Sequence, residues 1–145
     1  MQSVRSLSCA LLAAAAMTAA SCGDPKPLPF EPGGGGPDPD ATFSRVQGEV
    51  FSVSCAIAGC HVGPGPAAGL DLGPGSSYAA TVRVPSSQRA DLARIEPYEP
   101  DRSYLIKKVR GDADVSGSAM PLTGTLSVEQ RSLLVDWVRR GAPLD

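Results

Sequence analysis

Residues 61–75 read HVGPGPAAGLDLGPG, and eight of these fifteen are glycine or proline. Proline lacks the amide that helices and sheets use, and glycine loses the most backbone freedom on ordering, so no regular element can occupy this stretch. The chain must loop over something here, with its helices or strands on either side. The loop starts at the only histidine, His61, which directly follows Cys60 and lies six residues after Cys55 in the stretch SCAIAGCH. On the residues alone three uses stay open. They are covalent attachment of a haem, a Cys55–Cys60 disulfide beside a bystander imidazole, and a thiol–imidazole pair for catalysis.

Much of the chain ahead of this stretch is not available to a core. Arg5 precedes Leu7, Leu11, Leu12 and the run Ala13 to Ala16, the charged and apolar regions of a signal peptide, too short to span a bilayer. The protein is therefore expected to leave the cytoplasm for the cell envelope or periplasm. Ala19-Ala20-Ser21-Cys22 resembles the lipobox of bacterial lipoproteins, with alanine at position 19 in place of the usual leucine. That resemblance implies acylation of Cys22 and a membrane anchor; ordinary cleavage leaving a free Cys22 thiol is the other reading. The following GDPKPLPFEPGGGGPDPD offers only Leu28 and Phe30 as sizeable apolar side chains, too little to offset its ordering entropy. It reads as a tether. The expected layout is a signal peptide over 1–21, a Pro/Gly-rich tether over 22–41 and one domain over 42–145.

A domain of roughly 100 residues supports one small core, marginal without a staple, metal or cofactor. Once Arg5 is removed, 12 basic residues face 15 acidic ones, a net charge near −3. There is no basic stripe, which argues against a nucleic-acid partner. With Cys9, Met1 and Met17 lost in the signal peptide and Cys22 acylated, the domain keeps two cysteines, one histidine and one methionine, Met120.

Hydrophobic spacing places the elements. Phe43, Val46 and Val50, with Phe51 beside them, recur at the period of an amphipathic helix entered from a Thr42 cap and running into Cys55. A short helix is expected over Ser76 to Val82. Another is expected over Ser103 to Val109, capped by Asp101, with Tyr104, Leu105, Lys108 and Val109 on one face. Ser127 and Gln130 form a capping box for the last helix, whose stripe is Leu133, Leu134, Trp137 and Val138, followed by Arg139, Arg140 and a stop at Gly141 and Pro143. No alternating strand run is evident, so the domain reads as all-α.

In c-type haem attachment, two cysteines form thioethers and the histidine after the second ligates the iron; two residues usually separate the cysteines. Here Cys55 and Cys60 enclose four, of which Ala56, Ala58 and Gly59 are small enough to bulge outward. With this CxxxxCH stretch, a late Met120-Pro121 and a terminal helix carrying Trp137, the domain resembles a small monohaem c-type cytochrome of exported bacterial lipoproteins. The resemblance implies a fold of three to five short helices with long Gly/Pro-rich loops. It implies one covalent haem c on Cys55 and Cys60, with His61 and Met120 as axial iron ligands 59 residues apart. It further implies that the carbonyl of Pro64 or Pro66 accepts the His61 Nδ1 proton, and that the first and last helices cross over the haem edge. Its function would be electron transfer between redox protein partners, with no independent small-molecule substrate and no enzymatic activity.

The alternative is a haem-free interaction lipoprotein closed by a Cys55–Cys60 disulfide, a loop so short that it constrains little of the unfolded chain. Catalysis by Cys60 and His61 suffers because adjacent side chains rarely face each other and no third group is apparent. Two thiolates and one imidazole fall short of a closed zinc site. Arg110-Gly111-Asp112 reads as a helix end, and the glycine clusters lack the lysine and hydroxyl of a phosphate loop.

Overall fold

The computed structural model describes residues 36–145. The signal peptide, Cys22 and all but the last six residues of the expected tether lie outside the described residues. Packing begins at Ala41, which is fully buried and whose carbonyl accepts a hydrogen bond from Arg140.

Four helices and two single turns make up the regular structure among the described residues. The first helix, α1, opens as an α-helical turn over Phe43–Arg45 and continues over Val46–Cys55 with π-helical winding. Thr42 caps it, its Oγ1 accepting from the Arg45 amide at 3.2 Å. Asp145 closes the same end from the far side of the sequence, accepting from the Phe43 amide at 2.8 Å through its carboxylate. α2 spans Ser77–Thr81, α3 spans Tyr104–Arg110 and α4 spans Val128–Arg139.

α4 is built as its sequence dictates. The Ser127 hydroxyl accepts from the Gln130 amide and the Gln130 side chain accepts from the Ser127 amide, which satisfies two donors that the helix cannot pair itself. From Leu133 to Val138 every residue is buried. Gln130 also donates to the Glu49 carbonyl at 2.7 Å, tying α4 to α1. Val46, Val50 and Phe51 of α1 meet Leu134, Trp137 and Val138 of α4 in one core, which Leu72, Ile95 and Ile106 complete. Trp137 is wholly buried, donates from its indole to the Pro143 carbonyl, and shares an aromatic cluster with Phe43 and Tyr78. Truncating such a side chain costs about 3–5 kcal/mol.

Between α2 and α3 the chain has no extended strand. Three isolated bridges, Val82 to Ile95, Pro85 to Ala93 and Ala93 to Ser103, hold the connection together. Arg94 stitches this region to the loop above it by donating to the carbonyls of Ala80 and Ala68.

α3 departs from expectation at its start. Asp101 is not its cap: it sits in the single turn Pro100–Arg102 and pairs with Arg110. Ser103 takes the N-cap position, but its hydroxyl is committed to Glu96 and Glu99 and caps nothing. The end of α3 does behave as read. Gly111 adopts the left-handed conformation at φ 74°, which lets its amide and that of Asp112 return to the Lys107 carbonyl.

A close approach marks the end of α4. Gly141 has φ 94°, and a β-carbon there would fall 2.4 Å from the Tyr98 ring. Tyr98 is itself held at φ 70° by its amide, which donates to the Val138 carbonyl at 2.8 Å.

Candidate functional site

The stretch between the cysteines forms a closed turn. The Cys60 amide donates to the Ile57 carbonyl at 2.8 Å, and the His61 amide reaches back to the Cys55 carbonyl at 3.2 Å. Gly59 makes this possible at φ 82°. Ile57, Ala58 and Gly59 bulge outward and are exposed, whereas Ala56, expected to bulge with them, packs against the core. Cys55 and Cys60 are thus brought to either side of a short excursion, and both are free thiols.

His61 is fixed from three sides. Besides its amide contact, its carbonyl accepts from the Leu72 amide at 2.7 Å, and its Nδ1 lies 3.2 Å from the Leu70 carbonyl. A carbonyl only accepts, so Nδ1 carries a proton, and Nε2 is the ring nitrogen left to face a metal. The expected partner, Pro64 or Pro66, is corrected to Leu70. The Gly/Pro loop turns through Gly63, Gly65 and Gly69, all at positive φ, and it is its far end that returns to the ring.

Met120 approaches the same place from the loop before α4. It is half-buried, it joins Pro121 through a cis peptide bond, and its amide donates to the Lys108 carbonyl at 2.8 Å.

These residues frame a cleft with two lobes, of about 260 and 230 Å³, that share Cys55, His61, Ala67 and Met120. All four residues singled out from the sequence (Cys55, Cys60, His61 and Met120) line the smaller lobe. The larger lobe is walled by Leu70, Leu72, Tyr104, Leu105 and Val109, and its polar groups include Ser86, Ser87, Gln88, Arg94 and Lys108. The face of α3 read from sequence, Tyr104, Leu105, Lys108 and Val109, is therefore a wall of the cleft.

The electrostatics separate the two thiols. Burial, with a smaller contribution from Cys60, pushes the Cys55 thiol up to about 11. It is neutral at physiological pH, the reverse of what a nucleophilic cysteine needs. Burial likewise holds the Lys108 ammonium below its ordinary range.

The donor set fits a haem. Two thiols, an imidazole with a free Nε2 and a thioether converge on an apolar cleft with polar groups in its larger lobe, as an apolar macrocycle with carboxylate arms requires. Sequence reasoning missed Leu70, Gln88 and Arg94, because loop folding alone brings them to the cleft. Lys108 did leave a signal, as the one charge on an otherwise apolar and aromatic stripe. No family model matches the chain, and no curated protein or solved structure shows significant similarity to it.

Proposed function

We propose that the domain is a small cytochrome c-like electron carrier of the cell envelope, tethered through acylated Cys22. Cys55 and Cys60 would hold one haem c through thioethers, and His61 and Met120 would ligate its iron. The observation that carries this reading is the smaller lobe, where all four side chains meet although up to 65 residues of chain separate them.

Bound in the cleft, a haem would supply one-electron redox chemistry. The chain does the rest. Leu70 orients the His61 ring and leaves its Nε2 to face a metal. As a ligand, the Met120 thioether would favour the reduced metal and so raise the potential. Leu70, Leu72, Leu105 and Val109 exclude water from the larger lobe, while Arg94 and Gln88 supply donors for carboxylates. Ile57 and Leu122 stand exposed beside the smaller lobe, where a redox partner would approach.

The test is expression in cells with periplasmic haem-attachment machinery that accepts the four-residue spacing, followed by denaturing electrophoresis with a haem stain. A single stained band in the membrane fraction is expected, moving to the soluble periplasm in Cys22→Ser. Colourless protein, with Cys55 and Cys60 recovered as a disulfide, would replace this reading with a haem-free interaction lipoprotein.

A further inference from the structure

We infer that Lys108 is the positioning residue that holds Met120 at the cleft, an assignment that rests on the ligand role proposed for Met120. The loop that carries the methionine has little else to hold it. Residues 116–119 are all exposed, and they comprise two serines, a glycine and an alanine, so no apolar side chain anchors them. Lys108 grips the segment at both ends. Its Nζ donates to the Ser116 carbonyl at 2.6 Å and to the Ser118 carbonyl at 2.7 Å, while its own carbonyl accepts the Met120 amide at 2.8 Å.

The energetics favour this over a chance surface contact. Lys108 is only 7 % exposed, and an ammonium removed from water is costly unless its protons are bonded. The groups that bond them are carbonyl dipoles of the loop, so releasing the loop gives up both charge-assisted hydrogen bonds together. The Tyr104 ring lies 5.8 Å from the ammonium, and the Tyr104 hydroxyl accepts from the Ser116 amide at 2.9 Å, fastening the start of the same segment. A helix already packed into the core thereby holds an exposed loop.

The experiment uses the haem-loaded protein. Lys108→Leu keeps the stem's apolar bulk but removes every donor, and Lys108→Arg keeps charge and donors. Three quantities are read: the weak near-infrared sulfur-to-iron band of the oxidised protein, the reduction potential, and the affinity for added imidazole, which competes with Met120. Lys108→Leu should lose most of the band, lower the potential and bind imidazole about tenfold or more tighter, since freeing the loop removes charge-assisted hydrogen bonds. Lys108→Arg should restore all three towards wild type. Tyr104→Phe, a milder change that keeps the core, should shift imidazole affinity in the same direction and serves if Lys108→Leu does not fold. Wild-type readings in Lys108→Leu, or in Tyr104→Phe where that variant stands in, overturn the inference and leave the haem reading intact. Wild-type protein that lacks covalent haem, or lacks the sulfur band, overturns both.

Discussion

Alkylating the cofactor-free protein at pH 8 should reveal the burial of Cys55 as a rate. The thiol is pushed from an ordinary value of 9.0 up to about 11, and only the thiolate reacts. At pH 8 about one thiol in ten is ionised at the ordinary value and about one in a thousand at the raised one, so folding alone should slow Cys55 by roughly a hundredfold. Iodoacetamide labelling followed by peptide mass spectrometry, in native buffer and in denaturant, measures that ratio, with exposed Cys60 as a reference in the same sample. Stability should follow the same linkage. A folded-state value above the unfolded one means that the folded chain binds the extra proton, so the contribution is full below pH 9 and declines as pH rises towards 11. It amounts to about 2–3 kcal/mol. Comparing wild type with Cys55→Ala across that window isolates it from the other groups that titrate there. Cys55 labelling as fast in the native protein as in denaturant would refute the buried-thiol geometry, and absence of labelling at both cysteines until a reductant is added would show a disulfide.

Met120→Ala and Met120→Leu should both retain covalent haem on a stained gel while lowering the potential and losing the near-infrared sulfur band. Because leucine conserves volume, agreement between the two assigns the effect to the lost thioether rather than to packing; a band retained in either removes Met120 as the ligand. Gly141→Ala should destabilise the domain by about 1–2 kcal/mol, since the left-handed backbone there disfavours a β-carbon. That corresponds to a melting temperature lower by roughly 4–15 °C in a circular dichroism melt. An unchanged melt would mean that the backbone relaxes around Tyr98.

The parts of the fold that the sequence announces are those set by neighbours along the chain. Thr42 and Ser127 cap because their partners, Arg45 and Gln130, are three residues away, and the stripe through Trp137 follows from helix geometry alone. The same locality failed at α3, where Ser103, with its backbone extended, spends its hydroxyl on Glu96 and Glu99 instead of on the helix. The candidate site divides in the same way. Cys55, Cys60 and His61 are a short motif and Met120 is the domain's one methionine, so both are visible as residue types. Leu70 is not, because a backbone carbonyl carries no residue signature, and its nine-residue return to His61 depends on how successive glycines turn.

The winding of α1 has a consequence for where Cys55 ends up. From Val46 to Cys55 is nine residues, which at α-helical pitch is about two and a half turns and would aim the thiol away from the core. With hydrogen bonds that span five residues, such as the Ala56 amide to the Phe51 carbonyl at 2.7 Å, the same nine residues make about two turns. Cys55 therefore comes round to the azimuth of Val46 and Val50, packs against the core, and still borders both lobes. The helix works as a gear whose ratio matters more than its composition. Any change that restored ordinary winding, with no residue of the cleft altered, would rotate the first thiol by about half a turn and separate it from its partners.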